Sequence, residues 1–505
     1  MKPVKRKKRI KQKSLFEKYL QTLTETQAEA VLSYFAEFSA HNSLPHAEKQ
    51  KMREDFENAL LYYDSDGIPL ENALERLRIK NLGGFYIRPP ILWYPLDDAA
   101  KIYPLSLKHG QMSLFRLSVY FKEAVTPEIL RIALAFTIKR FPSFATTVKK
   151  GFFWHYLDTA KRRYAIQEEH DIPCRPLNIS RSSSQSFRVL HYRNRISVEF
   201  FHILTDGTGG MVFLKTLVAE YLKLLGAEPE TDEQILDVNE APSQSETANE
   251  FCRADKTETV SGFIGKPAVQ MSGKLSKNKP CRILHFKMDA RSLSQAAKRR
   301  NATITAYLLA QMFLAGKHAT DELEGSMNIQ LPVNMRKFYP SDTLRNFSMY
   351  CGIKLPLQDI TDADSIIPEI TLQIEQKASR LSMSEMLNMT TRMVGAMRYV
   401  PLFIKAPGAR FGYGFLGDKI FSNTLSNLGV VSMPPGFTEH IDSMDFVLGG
   451  ALTNRASCSV VTFNDTATFS ISKCTADPSF EERLYALLAG DGVTPVVEGS
   501  ELYED

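Results

Sequence analysis

Residues 196–225 are ISVEFFHILTDGTGGMVFLKTLVAEYLKLL, an apolar strand pattern followed by a glycine-rich turn and a long amphipathic helix pattern. The apolar run ends at His202, and Asp206-Gly207 opens the turn. In open α/β sheets, ligands bind beside strand ends that lead into helices. Histidine is suited to general-base chemistry there, because its ordinary pKa lies near working pH. This stretch therefore predicts a fold element and a candidate site together.

The spacing of His202 and Asp206 has two interpretations. In the first, the imidazole takes a proton from an acceptor, and the aspartate holds the loop by pairing with a distant arginine. In the second, the segment is an ordinary strand-to-helix turn in which Asp206 caps the helix, and the local sequence alone fits this at least as well. A second His-x-x-x-Asp, His285 to Asp289, lies within an alternating strand pattern and indicates a half-buried strand histidine.

Length and composition exclude several classes of protein. A chain of 505 residues predicts two or three packing units. A formal charge of +5 is small for this size and argues against a nucleic-acid binder. The six cysteines are scattered without a CxxC pair, which favours core thiols in a reducing cytoplasm and predicts no metal site. No apolar run is long enough for a transmembrane helix.

One strongly basic segment stands apart from this balance. Residues 2–13 carry eight Lys or Arg side chains, and no apolar run of a secretory signal follows them. A solvated tail is the favoured interpretation. Weak contact with an anionic membrane surface is the alternative.

The pattern along the chain predicts an α/β protein with mixed sheets. We expect a basic tail and helical extension at 1–85, then a first subdomain at 86–226, in which 186–192 and 196–204 form a hairpin. A polar, weakly periodic segment at 227–280 is typical of a crossover linker, and 281–505 forms the second subdomain.

The run His202-Ile-Leu-Thr-Asp-Gly resembles the HxxxDG motif of the chloramphenicol-acetyltransferase-like superfamily. This superfamily includes alcohol acetyltransferases, plant acyltransferases, wax ester synthases and peptide-synthetase condensation domains. Residues 331–336, LPVNMR, resemble the family's PVNLR strand, and 424–429, TLSNLG, its SNLG strand. The resemblance covers about 85–490 in the right order and implies two similar mixed-sheet subdomains preceded by a helical extension.

The resemblance also implies roles for single residues. His202 is the general base, and Gly207 permits the turn. Asp206 is structural and pairs with an arginine, for which Arg336 is the first candidate and Arg345 the reserve. The oxyanion of the reaction would be stabilised by one of two donors in the second subdomain, Ser426 or Asn427. The family fold would place the imidazole midway along a tunnel between the subdomains.

Some family features and rival motifs are missing. Condensation domains and wax ester synthases usually carry a histidine directly before the catalytic one, where this chain has Phe201. The GxGxxG pattern at 412–417 follows a loop rather than a strand, so we do not expect a dinucleotide site. The chain contains no GxxxxGK[ST] and no GxSxG, which argues against a P-loop and an α/β-hydrolase nucleophile.

The expected function is therefore transfer of an acyl group from acyl-CoA, with acetyl-CoA one candidate, to a small alcohol or amine. One alternative is a condensation-type enzyme that uses an acyl thioester on a carrier protein. The other is a non-catalytic scaffold with the same fold.

Overall fold

The computed structural model describes residues 15–42, 44–82, 93–105, 112–159, 164–177, 186–228, 232–253, 255, 266–405, 418–451 and 453–503. The basic tail at 2–13 and the GxGxxG pattern at 412–417 lie outside these residues. Among the described residues, no helix is long and apolar enough to span a membrane.

The α-helices are α1 (Glu25–Ala40), α2 (His46–Ser65), α3 (Leu70–Arg76), α4 (Asp98–Ile102), α5 (Pro127–Ile138), α6 (Gly207–Leu225), α7 (Ala290–Arg299), α8 (Ile304–His318), α9 (Ala363–Lys377), α10 (Arg380–Ala396), α11 (Pro435–Thr438) and α12 (Ser479–Gly490). The strands are β1 (Trp93–Pro95), β2 (Leu114–Phe121), β3 (Thr146–Lys150), β4 (His155–Thr159), β5 (Ile166–Glu168), β6 (Phe187–Tyr192), β7 (Arg195–Phe201), β8 (Arg282–Asp289), β9 (Ser326–Asn334), β10 (Ser348–Pro356), β11 (Asn423–Val431), β12 (Ile441–Leu448), β13 (Ala456–Phe463), β14 (Thr466–Lys473) and β15 (Val496–Gly499).

The first subdomain is built on a five-stranded sheet of order β12-β2-β7-β6-β5. The predicted hairpin is confirmed, since β6 and β7 pair antiparallel across Arg193-Asn194. One face of the sheet is apolar: Phe115 on β2 lies opposite Phe200 on β7, and α6 packs above both rings. This face holds the start of α6 against the end of β7, where the candidate site lies.

The second subdomain is built on a seven-stranded sheet of order β10-β9-β11-β13-β14-β8-β15. The sheet is mixed, because β11 runs parallel to both β9 and β13 while the other pairs are antiparallel. Apolar helix α8 is buried against it and also packs on α9 and α12. The α/β class with two mixed-sheet subdomains is confirmed.

Strand β12 joins the two halves. It follows β11 of the second sheet in sequence but pairs antiparallel with β2 of the first. The hydroxyls of Ser459 and Ser472, on β13 and β14, donate to carbonyls of Phe446 and Leu448 on β12. The segment 281–505 therefore forms the second sheet and also adds β12 to the first. The first sheet is thus built from two separate parts of the sequence.

The N-terminal helices share the core of the first subdomain. Helix α1 starts at a capping box formed by Thr24 and Gln27. The ring of Phe56 on α2 lies 6.3 Å from that of Phe136 on α5. The hydroxyl of Tyr63 donates to the carbonyl of Leu224 at the end of α6, at 2.8 Å. The extension thus supports the helix that follows the candidate site.

Candidate active site

The site begins where β7 ends. The backbone N–H of His202, one residue beyond the strand, donates to the carbonyl of Ser113 at 2.9 Å. The chain then turns, and α6 starts at Gly207 with Asp206 as its N-cap, whose Oδ1 accepts from the Gly209 N–H at 3.0 Å. Asp206 therefore caps α6, as the helix-cap interpretation predicts.

Glycine is required in this turn by close packing. A Cβ on Gly209 would lie 2.2 Å from the carbonyl oxygen of Leu344, a backbone atom of the second subdomain. A Cβ on Gly207 would lie 2.6 Å from Cδ2 of Leu428, in the TLSNLG strand. The start of α6 is thus pressed against two segments of the second subdomain.

The His202 imidazole lies between two aromatic rings. It stacks on Tyr103 with ring centroids 5.3 Å apart, and its plane meets Phe115 at a steep angle with centroids 5.4 Å apart. The residue is half-buried. Its Nδ1 is buried, and no other residue of the described chain gives that atom a hydrogen bond. Stacking, rather than an acidic partner, therefore fixes the ring.

Burial is the largest influence on the pKa of His202 and lowers it below the ordinary value of 6.5. The negative charge of Asp206 and a hydrogen bond with the residue's own backbone oppose that shift in part. A lowered pKa leaves the ring neutral, and so able to accept a proton, at neutral pH.

Asp206 points away from the imidazole and into the second subdomain. Its Oδ2 accepts from Arg336 Nη1 at 2.7 Å and from the N–H of Phe347 at 2.7 Å. Both side chains of this ion pair are nearly buried. The same guanidinium donates to the carbonyls of Thr343 and Arg345. The pairing expected from the sequence is thus present, and it coexists with the helix cap.

Arg345, the reserve candidate, has other partners. Its guanidinium lies 3.5 Å from the carboxylate of Asp97 and donates to the Pro95 carbonyl at 2.7 Å. Burial raises the pKa of Asp97 to about 6, and the charge of Arg345 opposes the rise. Arg345 therefore holds the segment that precedes Tyr103 rather than the His202 loop.

The LPVNMR segment meets the same turn. Asn334, at the end of β9, donates through Nδ2 to the Thr208 hydroxyl at 3.2 Å and accepts the Arg336 N–H at 3.0 Å. The asparagine thus orients the arginine and touches the first turn of α6. Its role here is positional.

Ser426 and Asn427 lie on β11, which carries Leu428 to the His202 turn. The Asn427 amide is engaged: Nδ2 donates to the Thr305 hydroxyl at 3.0 Å and Oδ1 accepts the Gly429 N–H at 2.7 Å. Among the described residues, neither Ser426 nor Asn427 hydrogen-bonds to His202. Their role as oxyanion donors stays a prediction, as does the tunnel.

Two residues of the site have no clear signal in the sequence. Tyr103 stacks on the imidazole. The backbone of Phe347 donates to Asp206. In the sequence Tyr103 is only a common aromatic residue before Pro104. The Phe347 contact is made by a backbone N–H, which every residue except proline has, so the sequence cannot indicate it. No group of three or more His, Cys, Asp or Glu side chains able to hold a metal ion occurs in the described parts of the chain.

Comparison with known proteins identifies the fold. No protein-family model and no curated protein sequence matches the chain. Among solved structures, F. graminearum TRI101 complexed with coenzyme A and deoxynivalenol superposes with a TM-score of 0.54 at 10% identity, covering 78% of this chain and 97% of that one. The trichothecene 15-O-acetyltransferase TRI3 from Fusarium sporotrichioides gives 0.51 at 11% identity, covering 80% and 98%.

A third match comes from peptide synthesis. The first condensation domain of the calcium-dependent antibiotic synthetase gives a TM-score of 0.50 at 12% identity, covering 81% of this chain and all of that domain. At such low sequence identity these matches establish the fold alone. The chain has the two-subdomain fold that CoA-dependent acyltransferases and condensation domains share, the fold of the chloramphenicol-acetyltransferase-like superfamily.

Proposed function

We propose that this protein is an acyltransferase that moves an acyl group from acyl-CoA to an alcohol or amine, with His202 as general base. One observation carries the proposal. A half-buried histidine, whose pKa is lowered by burial, lies at a strand end beside the contact between the two subdomains, while the nearby carboxylate of Asp206 is paired with Arg336.

The arrangement supports direct transfer. The neutral imidazole takes the proton from the acceptor O–H or N–H as that atom attacks the thioester carbonyl. The resulting tetrahedral intermediate collapses by breaking the carbon–sulfur bond. The imidazolium returns its proton to the departing thiolate, so the products are an ester or amide and a free thiol. No acyl-enzyme is formed in this scheme.

The state of Nδ1 distinguishes this site from a catalytic triad. In a triad an acid binds the second nitrogen of the histidine and stabilises the imidazolium. Here Asp206 caps α6 and pairs with Arg336 rather than with the imidazole. The ring therefore has little stabilisation in its charged form, which suits a base that must release its proton again in the same turnover.

The donor thioester has two candidate sources. Phe201 stands where condensation domains usually carry a second histidine, which favours free acyl-CoA over a carrier-protein thioester. The complex of TRI101 with coenzyme A supports the same choice. A donor on a carrier protein remains the alternative, because a condensation domain shares the fold.

A thiol-release assay tests the proposal. Purified protein is offered acyl-CoAs of increasing chain length with a panel of alcohols and amines, and the products are identified by mass. We expect acceptor-dependent release of CoA and an ester or amide product. Release only from a loaded carrier protein would favour the alternative donor. If no thioester supports acyl transfer, the non-catalytic scaffold would be the favoured alternative.

A further inference from the structure

The hairpin between β3 and β4 exposes an aromatic tip. Its turn closes through the Gly151 N–H, which donates to the carbonyl of Trp154 at 2.9 Å. The residues between are Phe152, 67% exposed, and Phe153, also exposed, with rings 4.8 Å apart. Hairpin turns usually carry Gly, Asn, Asp or Ser, so two exposed phenylalanines there need a separate explanation.

A second segment extends this surface. The Leu402 N–H donates to the carbonyl of Phe152 at 2.8 Å, and the ring of Tyr399 lies 6.4 Å from that of Phe153. Tyr399 is 72% exposed, and Phe403 and Ile404 are also strongly exposed. We call the joint surface the aromatic patch, formed by Phe152, Phe153, Tyr399, Phe403 and Ile404. Contiguous exposed apolar surface of this kind marks an interaction site.

Cationic side chains lie beside the aromatic patch, and Lys150 and Arg398 among them are exposed. The Lys405 ammonium lies 3.1 Å from the ring centroid of Trp154, and that of Lys101, which is paired with Asp98, lies 5.9 Å from it. The Arg398 guanidinium lies 5.1 Å from the centroid of Tyr399. The sequence segments 98–105, 149–159 and 396–405 contain five Lys or Arg and two Asp or Glu residues.

Positive charge at Lys405 is uncompensated. Within the described residues no carboxylate forms an ion pair with its ammonium, which donates instead to the Met397 carbonyl. Burial lowers the pKa of Lys405 to about 8, and the charge of Lys101 adds to the effect. Lys405 is only 6% exposed, so its charge adds to the positive potential of the patch without contacting a ligand directly.

We propose that the aromatic patch docks on an anionic phospholipid bilayer, with Phe152, Phe153 and Phe403 entering the interface and the exposed Lys150 and Arg398 binding lipid phosphates. Aromatic rings interleaved with Lys and Arg are typical of surfaces that lie at the boundary between headgroups and acyl chains. The positive balance complements an anionic leaflet, whose surface attracts each nearby Lys or Arg.

The aromatic patch adjoins the candidate active site through α4. Lys101 belongs to that helix, and Tyr103, directly after it, stacks on His202. Docking would therefore place the site close to a lipid surface, where an acceptor or donor with a long hydrocarbon chain is concentrated. This consequence for the substrate rests on the proposed function, whereas the docking itself does not.

Vesicle co-sedimentation with the full chain tests the proposal. Vesicles of phosphatidylcholine alone are compared with vesicles of phosphatidylcholine and phosphatidylglycerol. We expect binding to the mixed vesicles only. The double variant F152S/F153S should lower the partition coefficient at least about tenfold, because two buried phenyl groups are lost. Arg398→Gln should lower it about fivefold.

Leu323→Ser is the matched control, since Leu323 is 91% exposed and lies more than 70 residues from the nearest patch residue in sequence. It should bind as the unchanged protein does, and thermal melting of each variant verifies the fold. Unchanged binding of F152S/F153S would mean that another region, such as residues 2–13, supplies the affinity, and would overturn the proposal. Equal binding to neutral and anionic vesicles would also overturn the proposal. Concentration-dependent self-association through the patch, without vesicle binding, would overturn it as well.

Discussion

The carboxylate of Asp206 lies 2.7 Å from Nη1 of Arg336, and this ion pair ties the His202 loop to the second subdomain. The other carboxylate oxygen caps α6. The aspartate therefore acts on the loop rather than on a substrate. The pair is nearly buried, so removing one partner leaves a charge with little solvent around it.

Asp206→Asn should lower the free energy of unfolding by about 3 kcal/mol, the cost of leaving a buried guanidinium unpaired. Urea denaturation measures the loss. The matched control is Asp289→Asn, because Asp289 caps α7 in the same way but is exposed and forms no ion pair among the described salt bridges. Asparagine caps helices about as well as aspartate, so the control should change stability by less than about 0.5 kcal/mol. Equal losses in the two variants would contradict the structural role of the ion pair.

The pH dependence of activity should reflect the lowered pKa of His202. A neutral ring is the active form, so kcat/KM should hold as pH falls to 6.5 and decline only below it. The negative charge of Asp206 raises the pKa of the ring, so Asp206→Asn should move the decline to still lower pH. A pH–rate profile of both proteins measures this. A decline centred above pH 6.5 would be inconsistent with burial as the main influence.

The same lowered pKa affects stability. Below pH 6.5 the unfolded chain binds a proton at this histidine while the folded chain does so only at lower pH. The stability contributed by His202 is therefore present above the unfolded pKa and is lost as pH falls toward the folded pKa. His202→Gln should remove this part of the pH dependence in denaturation curves, and an unchanged dependence would contradict it.

Tyr103 should act as a positioning residue. Tyr103→Ala removes the ring that stacks on the imidazole and should reduce kcat/KM roughly 10–100-fold, since small misplacements of reacting groups are costly. Tyr103→Phe keeps the stack and loses only the hydroxyl, so it should retain most activity. Recovery by phenylalanine separates stacking from hydroxyl chemistry. Equal losses in both variants would implicate the hydroxyl.

The two turn glycines should differ in tolerance. In Gly209→Ala the new methyl meets the Leu344 backbone, which cannot move aside, and we expect a loss of about 3 kcal/mol or more. In Gly207→Ala it meets only the end of the Leu428 side chain, so the loss should be about 1 kcal/mol, and Leu428→Ala should relieve it. Thermal melting ranks the variants. A larger loss at Gly207 would show that the contact with the second subdomain is misplaced.

The features predictable from sequence are those that local patterns encode. The β6–β7 hairpin, the start of α6 and the positions of His202 and Asp206 all follow from periodicity and turn residues within one stretch. Strand β10 is harder to predict, although its buried residues Met349, Cys351, Ile353 and Leu355 alternate. Gly352 and Pro356 interrupt that pattern with residues that strands usually avoid.

Other features depend on contacts between distant segments. Nothing near residue 441 indicates that β12 will pair with β2 rather than with its own subdomain. Tyr103 reaches His202 because α4 is held in place by Arg345 and Asp97, a contact across 248 residues. The pairing of Asp206 with Arg336 was predicted through family resemblance, since the spacing alone names no particular arginine.

The most direct measurement is acyl transfer by His202→Asn beside His285→Asn, both assayed below their melting temperatures. The two histidines share the His-x-x-x-Asp spacing, but His285 is buried in β8 and hydrogen-bonded to Ser470. We predict that His202→Asn lowers kcat/KM for CoA release by at least about 100-fold, the scale of general-base catalysis, and that His285→Asn stays within a few-fold of the unchanged protein. Turnover by a folded His202→Asn variant close to that of the unchanged protein would contradict the assignment of His202 as the base.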